Sequence, residues 1–475
     1  MGLFIKKPLE ALQAEANQTG SKSLKRVLGP WSLVALGVGV IIGAGLFSIT
    51  GTVAAGYTGP AITLSFAIAA IGCCFAGLCY AEFASMIPVA GSAYTYSYAT
   101  MGELIAWIIG WDLVLEYCVA ATTVSISWSR YLVVFLEGFG VHLPQALTAC
   151  PWDGGIVNIP AFVIVVLMSI LLIRGTEGSS IFNGIIVFLK VSVVLVFVVL
   201  GWKYIRMENY TPYIPTNTGT LGEFGFSGIL RGAAIVFFAF LGFDAVSTAA
   251  QETKNPKRDM PIGIISALAI CTVLYIAVCA AMTGVVPYPM LDTAAPASFV
   301  LEYIGLHLGS AIVGTGAICG LSTVVLGMLF AQSRALYSMS RDGLMPMSLY
   351  KVHPKFQTPY IIQIVIGIIV ACITGFTPIH IVAETCSAGT IFAFLCSSVG
   401  ILVLRRIYPN HPRGFRCPAV HIIAPLGFIC CAFIFFELSP HTLMLFTGWT
   451  ILGWLIYFVY GRRHSVLQKK EESPS

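Results

Sequence analysis

The chain has 475 residues, of which 57% are hydrophobic and 10% charged, with a mean hydropathy of +0.88 and a formal net charge of +5. No soluble globular protein of this length carries so much apolar surface, so the composition indicates a polytopic membrane protein embedded in a lipid bilayer. The basic excess is not a nucleic-acid patch, because the charges fall in short loops and tails; the 14 cysteines lie mostly inside apolar runs, with no paired framework and no metal spacing.

Residues 1–27 read as a polar cytoplasmic tail with Lys6, Lys7, Lys22, Lys25 and Arg26 and no cleavable signal pattern. Apolar runs follow at about 31–55, 60–86, 103–136, 159–174, 181–202, 227–250, 260–286, 298–340, 360–376, 381–404, 419–437 and 442–461, which makes an all-α protein of twelve transmembrane helices. The third and eighth runs exceed the ~20 residues that cross a bilayer and are expected to tilt or to extend beyond it. With the N-terminus inside, 21 of the 26 basic residues fall in cytoplasmic segments; Lys203, Arg206 and Arg231 lie outside, and Arg130 and Lys190 within spans. That asymmetry places both termini in the cytoplasm.

Four glycines (Gly37, Gly39, Gly43, Gly45) fall within nine residues of the first run. Each costs roughly 1 kcal/mol against alanine in a helix, and a break inside the bilayer survives only where it lines a cavity or a ligand. A second interrupted stretch, Ile235 to Ala245, lies in the sixth run. Two interrupted spans in matching positions point to a transporter site at the bilayer midplane between inverted repeats. The resulting organisation is a five-plus-five inverted repeat with broken helices 1 and 6: residues 28–205 as the first repeat, 206–225 as an extracellular loop and 226–416 as the second repeat. Two extra C-terminal helices (417–463) and a cytoplasmic tail (464–475) complete it.

Chemistry follows from the breaks. If a half-helix restarts after Gly43, the N–H groups of Ala44, Gly45 and Leu46 lack partners and suit a carboxylate. If the sixth helix stops near Phe238, the carbonyls of Phe238, Ala239 and Leu241 suit an ammonium, with Gly242 in the turn. Together they describe a site for an α-amino acid. For Gly37 alone, tight helix packing is the better reading. Lys190 sits deep in the fifth run, where a charge is expensive; it is a candidate for proton coupling, the alternative being a permanent pin between helices. Glu116 in the third run is a candidate for contacting the substrate or a mobile proton, with a satisfied buried carboxyl as the alternative; Asp112 is one turn away. Asp244 reads as the N-cap of the second half-helix. Arg130 is expected at the bundle or outer rim, and Glu82 at a gate or an ordinary interface.

The segments Gly39 to Phe47, Phe237 to Ser247 and Glu252 to Gly263 resemble the amino acid–polyamine–organocation superfamily. Ser338 to Pro346, Val352 to Pro359 and Gly414 to Pro418 resemble its cationic amino acid transporter branch, in the bacterial twelve-span form. The resemblance implies the inverted-repeat fold, substrate held at Ile41, Ala44 and Gly45 and at Phe238, Ala239 and Leu241, and Lys190 in place of a sodium site. One departure is Ala44, where the family usually carries a serine or threonine; the backbone donors remain. Ser322 falls where a pocket-floor side chain would point, a hint toward larger or cationic substrates.

No catalytic constellation, metal cluster, cofactor motif or phosphate loop is present, which argues against an enzyme, and charge rings of a channel are missing. The reading is a secondary active transporter of L-amino acids with the proton as coupling ion. An exchanger without proton coupling is the alternative, followed by a non-transporting amino-acid sensor.

Overall fold

Out of water, a backbone must satisfy its own polar groups, and this chain does so by forming helices. The computed structural model describes residues 3–16, 26–293 and 295–472; Lys22, Lys25 and residues 473–475 of the two expected tails lie outside these. Among the described residues, the only β-type contact is an isolated parallel bridge between Leu28 and Thr253. Within those same residues, eight helical segments are long and apolar enough to cross a membrane, and three shorter apolar helices, Ile159–Arg174, Tyr360–Phe376 and Val420–Phe436, accompany them.

Local chemistry sets many of the helix starts. Pro30, Pro256 and Pro440 each open a helix, where the missing N–H costs nothing. Asn158 caps the Ile159–Arg174 helix by accepting from the Ala161 amide, and Ser439 caps Pro440–Ile456 by accepting from Thr442. The expected eighth run is not one helix. Pro296–Tyr303 ends at Gly305 (φ +79°), where Leu306 N–H bonds Leu301 O and Gly305 N–H bonds Glu302 O, and His307–Arg341 starts afresh. A glycine in the left-handed region followed by such a 6→1 bond is a standard helix stop.

Two 35-residue helices, Glu103–Glu137 and His307–Arg341, run against each other through the centre. At 1.5 Å per residue each is about 50 Å long, so both outrun a hydrocarbon core of about 30 Å. Around them, Ile62–Met86 packs on Pro256–Val285, and Ile379–Ile407 on Glu103–Glu137. Gly37 serves packing, as expected: a Cβ there would lie 2.6 Å from that of Ala267.

One end of the bundle is tightly closed. The Val27 and Leu28 amides donate to Glu252 O (2.9 Å each) and Lys254 N–H to Leu28 O (2.8 Å). Arg334 Nε meets Glu252 Oε1 at 2.6 Å, both side chains buried. Residues 3–16, part of the expected tail, dock across this end, where Lys7 Nζ pairs with Asp342 Oδ1 at 2.5 Å. Glu82, on the same end, accepts from Arg405 Nη2 (2.6 Å) and the Cys417 amide (2.7 Å), an interface role.

Candidate functional site

Both breaks lie where the sequence indicates. The helix Pro30–Ile41 stops at Ile42, whose φ −73°, ψ 95° leaves the helical region, and helical winding resumes as a wide turn over Gly45–Ile49. Gly43 O accepts from both Leu46 and Phe47 N–H at 3.1 Å. The Leu46 amide is therefore engaged, against expectation, because the restart opens with a tight turn onto Gly43. The Ala44 and Gly45 amides lie ahead of that first closed turn, where helices leave donors without intrahelical partners.

The second break mirrors the first in size: Gly225–Val236 has 12 residues, as does Pro30–Ile41. It tightens over Phe237–Phe240, becomes extended at Leu241 (φ −60°, ψ 140°), turns at Gly242 (φ +110°) and resumes as Phe243–Thr248. Two of the three expected acceptors are partly occupied. Phe238 O accepts the Leu241 amide at 3.2 Å, and Ala239 O lies 2.8 Å from the Tyr275 hydroxyl. The same hydroxyl lies 2.6 Å from Ile41 O. Tyr275 thus bridges the two breaks, with one proton for two carbonyls. Its only sequence signal is a lone tyrosine in the apolar run Pro256–Val285.

The breaks are in contact: a Cβ on Gly45 would sit 2.4 Å from Ala239 Cα. Gly242 is equally constrained, since a Cβ would fall 2.3 Å from Val40 Cγ1, and Gly43 abuts Val324. Glycine there answers both the positive φ and the close approach.

Lys190 is fully buried, and among the described residues its partners are all neutral oxygens: Ile42 O (2.7 Å), Gly39 O (2.8 Å), Thr323 Oγ1 (3.1 Å) and Gly320 O (3.2 Å). The ammonium therefore caps the carbonyl end of Pro30–Ile41, where a cation is favoured, and ties it to His307–Arg341. Thr323 was not legible as a partner from sequence.

Asp244 is structural, but not as the N-cap. Gly242 holds that position; the Asp244 carboxylate accepts from the Gly242 amide (3.2 Å) and from the Tyr117 hydroxyl, because it sits one residue inside the short helix. Glu116 and Asp112 are buried, and the Glu116 carboxyl has the Thr390 side chain beside it as a hydrogen-bond partner. Ser322 does not reach the space between the breaks. It accepts from Trp128 Nε1 at 2.9 Å and donates to Ile318 O, since Thr323 and Val324 take the inward faces of that helix. The hint toward cationic substrates goes with it.

Among the described residues, two spaces share Ala44 and Phe238 of the breaks. The inner one, of about 10 Å³, is bounded by Ala44, Gly45, Phe238 and Leu241 and by the apolar Ala120, Val124, Val324 and Met328. That is room for roughly one water. The outer one, of about 360 Å³, lies at the end opposite the closed face and includes Ser127, Arg130 and Arg231 in its wall. Ala44 and Phe238 border both and form the partition between them.

Comparison with known proteins identifies the family. Residues 28–460 match the family model described as amino acid permease. The chain is 46% identical to the branched-chain amino acid permease BcaP of Bacillus subtilis, over 98% of this chain and 99% of that one. It is 45% identical to the methylthioribose transporter of the same organism, with the same coverage of both chains. It is also 37% identical to the vacuolar cationic amino acid transporter 4 of Arabidopsis thaliana, over 82% of this chain and 65% of the relative. These are names of transporters, not of enzymes. Family and membrane helices together account for the chain: it belongs to the amino acid permeases of the amino acid–polyamine–organocation superfamily.

Proposed function

We propose that the protein is a proton-coupled symporter of neutral, apolar L-amino acids that works by alternating access at the two helix breaks. The observation that carries this is the abutment of the breaks with Lys190 bonded to the first. The substrate carboxylate is assigned to the Ala44 and Gly45 amides, and the ammonium to the carbonyls of Ile41, Phe238, Ala239 and Leu241. The side chain is assigned to the space edged by Ala120, Val124, Val324 and Met328, which carries no charge and therefore favours branched or unbranched apolar groups over cationic ones. The identity to a branched-chain permease supports the same class.

Twelve spans follow when Pro30–Met86 is divided at Gly59 and the three shorter apolar helices are counted as crossing. The equal lengths leading into the two breaks support an inverted five-plus-five repeat with two further helices. With the termini cytoplasmic in a bacterial cell membrane, the closed end faces inward and the large cavity outward. Substrate entering from outside must displace Phe238 to reach the inner space.

Lys190 supplies the coupling. Charged, its three protons are shared among four oxygens across the first break; neutral, it keeps two donors and turns a lone pair toward carbonyls. Losing the proton thus loosens the joint between Pro30–Ile41 and His307–Arg341, and reprotonation from outside resets it. Glu116, buried on the neighbouring helix beside Thr390, is assigned as an auxiliary proton or substrate contact.

The test is uptake of labelled L-isoleucine into proteoliposomes with and without an inward proton gradient, for wild type and Lys190→Met. Gradient-driven accumulation in wild type, lost in the variant with exchange retained, is the expected result. Uptake that ignores the gradient and requires internal amino acid replaces symport by exchange; binding without any uptake replaces it by sensing.

A further inference from the structure

The outer cavity holds chemistry that the breaks do not use. On one face of Glu103–Glu137, Thr123, Ser127 and Arg130 succeed one another at helical spacing and all border this cavity. Ser127 is buried, yet its hydroxyl oxygen has no hydrogen-bond partner. Buried hydroxyls are ordinarily satisfied, so such an atom facing a cavity calls for a ligand group. Arg130, one turn toward the mouth, is exposed and makes no hydrogen bond or ion pair among the described residues. Thr293, in the wall formed by the loop before Pro296–Tyr303, likewise holds an unpartnered hydroxyl. The ionisable groups around the cavity are Arg130, Arg231, Tyr57 and Glu437, with Arg231 donating to the Glu437 backbone carbonyl, so two cations against one carboxylate leave the wall formally positive.

We propose that this vestibule is a docking site for the carboxylate of an incoming zwitterionic amino acid, held by the Arg130 guanidinium and the Ser127 hydroxyl. A guanidinium presents paired donors that match a carboxylate, and the low-dielectric walls focus its field toward the mouth. The floor of the vestibule is Ala44 and Phe238, so a substrate held there is poised above the partition to the inner space. The assignment rests on the reading of the breaks as an amino-acid site.

The test is the kinetics of L-isoleucine uptake into proteoliposomes by wild type, Arg130→Gln and Arg130→Lys at low and at high salt. Arg130 is exposed and makes no bond among the described residues, so both variants should assemble normally. The expected result is a rise in KM of about 5-fold in Arg130→Gln with kcat unchanged, the size expected of one partly exposed charged contact. Part of that loss returns in Arg130→Lys, and the difference shrinks at high salt. An unchanged KM in Arg130→Gln overturns the proposal, and so does a fall in kcat at constant KM, which would make Arg130 a part of the gate. If wild type itself carries no amino acid, the reading of the breaks fails first, and the docking site with it.

Discussion

Gly45 and Ala239 meet backbone to backbone: a Cβ built on Gly45 would lie 2.4 Å from both Cα and Cβ of Ala239. The two interrupted helices, about 190 residues apart in sequence, are thus held at a separation that only glycine allows. Gly45→Ala must push the breaks apart, at a cost of about 1–3 kcal/mol for overpacking, and with them the amides and carbonyls assigned to one ligand. Isoleucine uptake should fall at least about tenfold, the equivalent of 1.4 kcal/mol, while Gly56→Ala, whose added Cβ meets nothing within 4 Å, leaves uptake unchanged.

Tyr275 carries the second link between the breaks. Tyr275→Phe keeps the ring, which packs on Phe66 and Phe240, but leaves Ile41 O and Ala239 O without their shared donor. Unpaired buried carbonyls cost about 1–3 kcal/mol. The purified variant should unfold at lower denaturant concentration than wild type with an unchanged slope.

At the closed end, Arg334 and Glu252 form an ion pair with side chains 2% and 1% exposed. Removing one partner of such a pair strands the other charge, at about 3 kcal/mol or more. Arg334→Gln is therefore expected to open this face. Hydrogen exchange checks it directly: the Val27, Leu28 and Lys254 amides, bonded across the closure in wild type, should exchange about 100-fold faster, the factor that corresponds to that energy.

Specificity should follow the wall of the inner space and not Ser322. Met328→Ala enlarges that wall and is expected to lower the KM for L-phenylalanine relative to L-valine; Ser322→Ala, whose hydroxyl bonds Trp128, should leave the ratio within about 2-fold. Competition of the two amino acids against labelled isoleucine measures both.

Much of this was legible in the sequence because the bilayer restricts what a chain can do there. Runs of about 20 apolar residues had to be helices, and glycine clusters near 37–45 and at Gly242 marked where two of them stop. The failures share a cause. Leu46, Phe238 and Ala239 were expected to offer free groups, but tight turns and the Tyr275 hydroxyl engage them. Ser322 was placed inward from its position in the run, yet a helix position fixes a face only once the neighbouring helices are known. The eighth run reads as continuous because Glu302 and His307, the polar residues flanking Gly305, are too few to interrupt its apolar character.

The sequence by itself determined that the chain is a helical membrane protein, where its helices break, and that Lys190 is a buried charge, since each follows from local composition and the cost of unsatisfied backbone in lipid. Only the tertiary structure decided what those features meet. It brought Gly45 against Ala239, gave Lys190 four neutral oxygens in place of a carboxylate, and turned Ser127 and Arg130 into one cavity wall. Such pairings join residues far apart in the chain, and they arise from how whole helices pack, which no local pattern encodes.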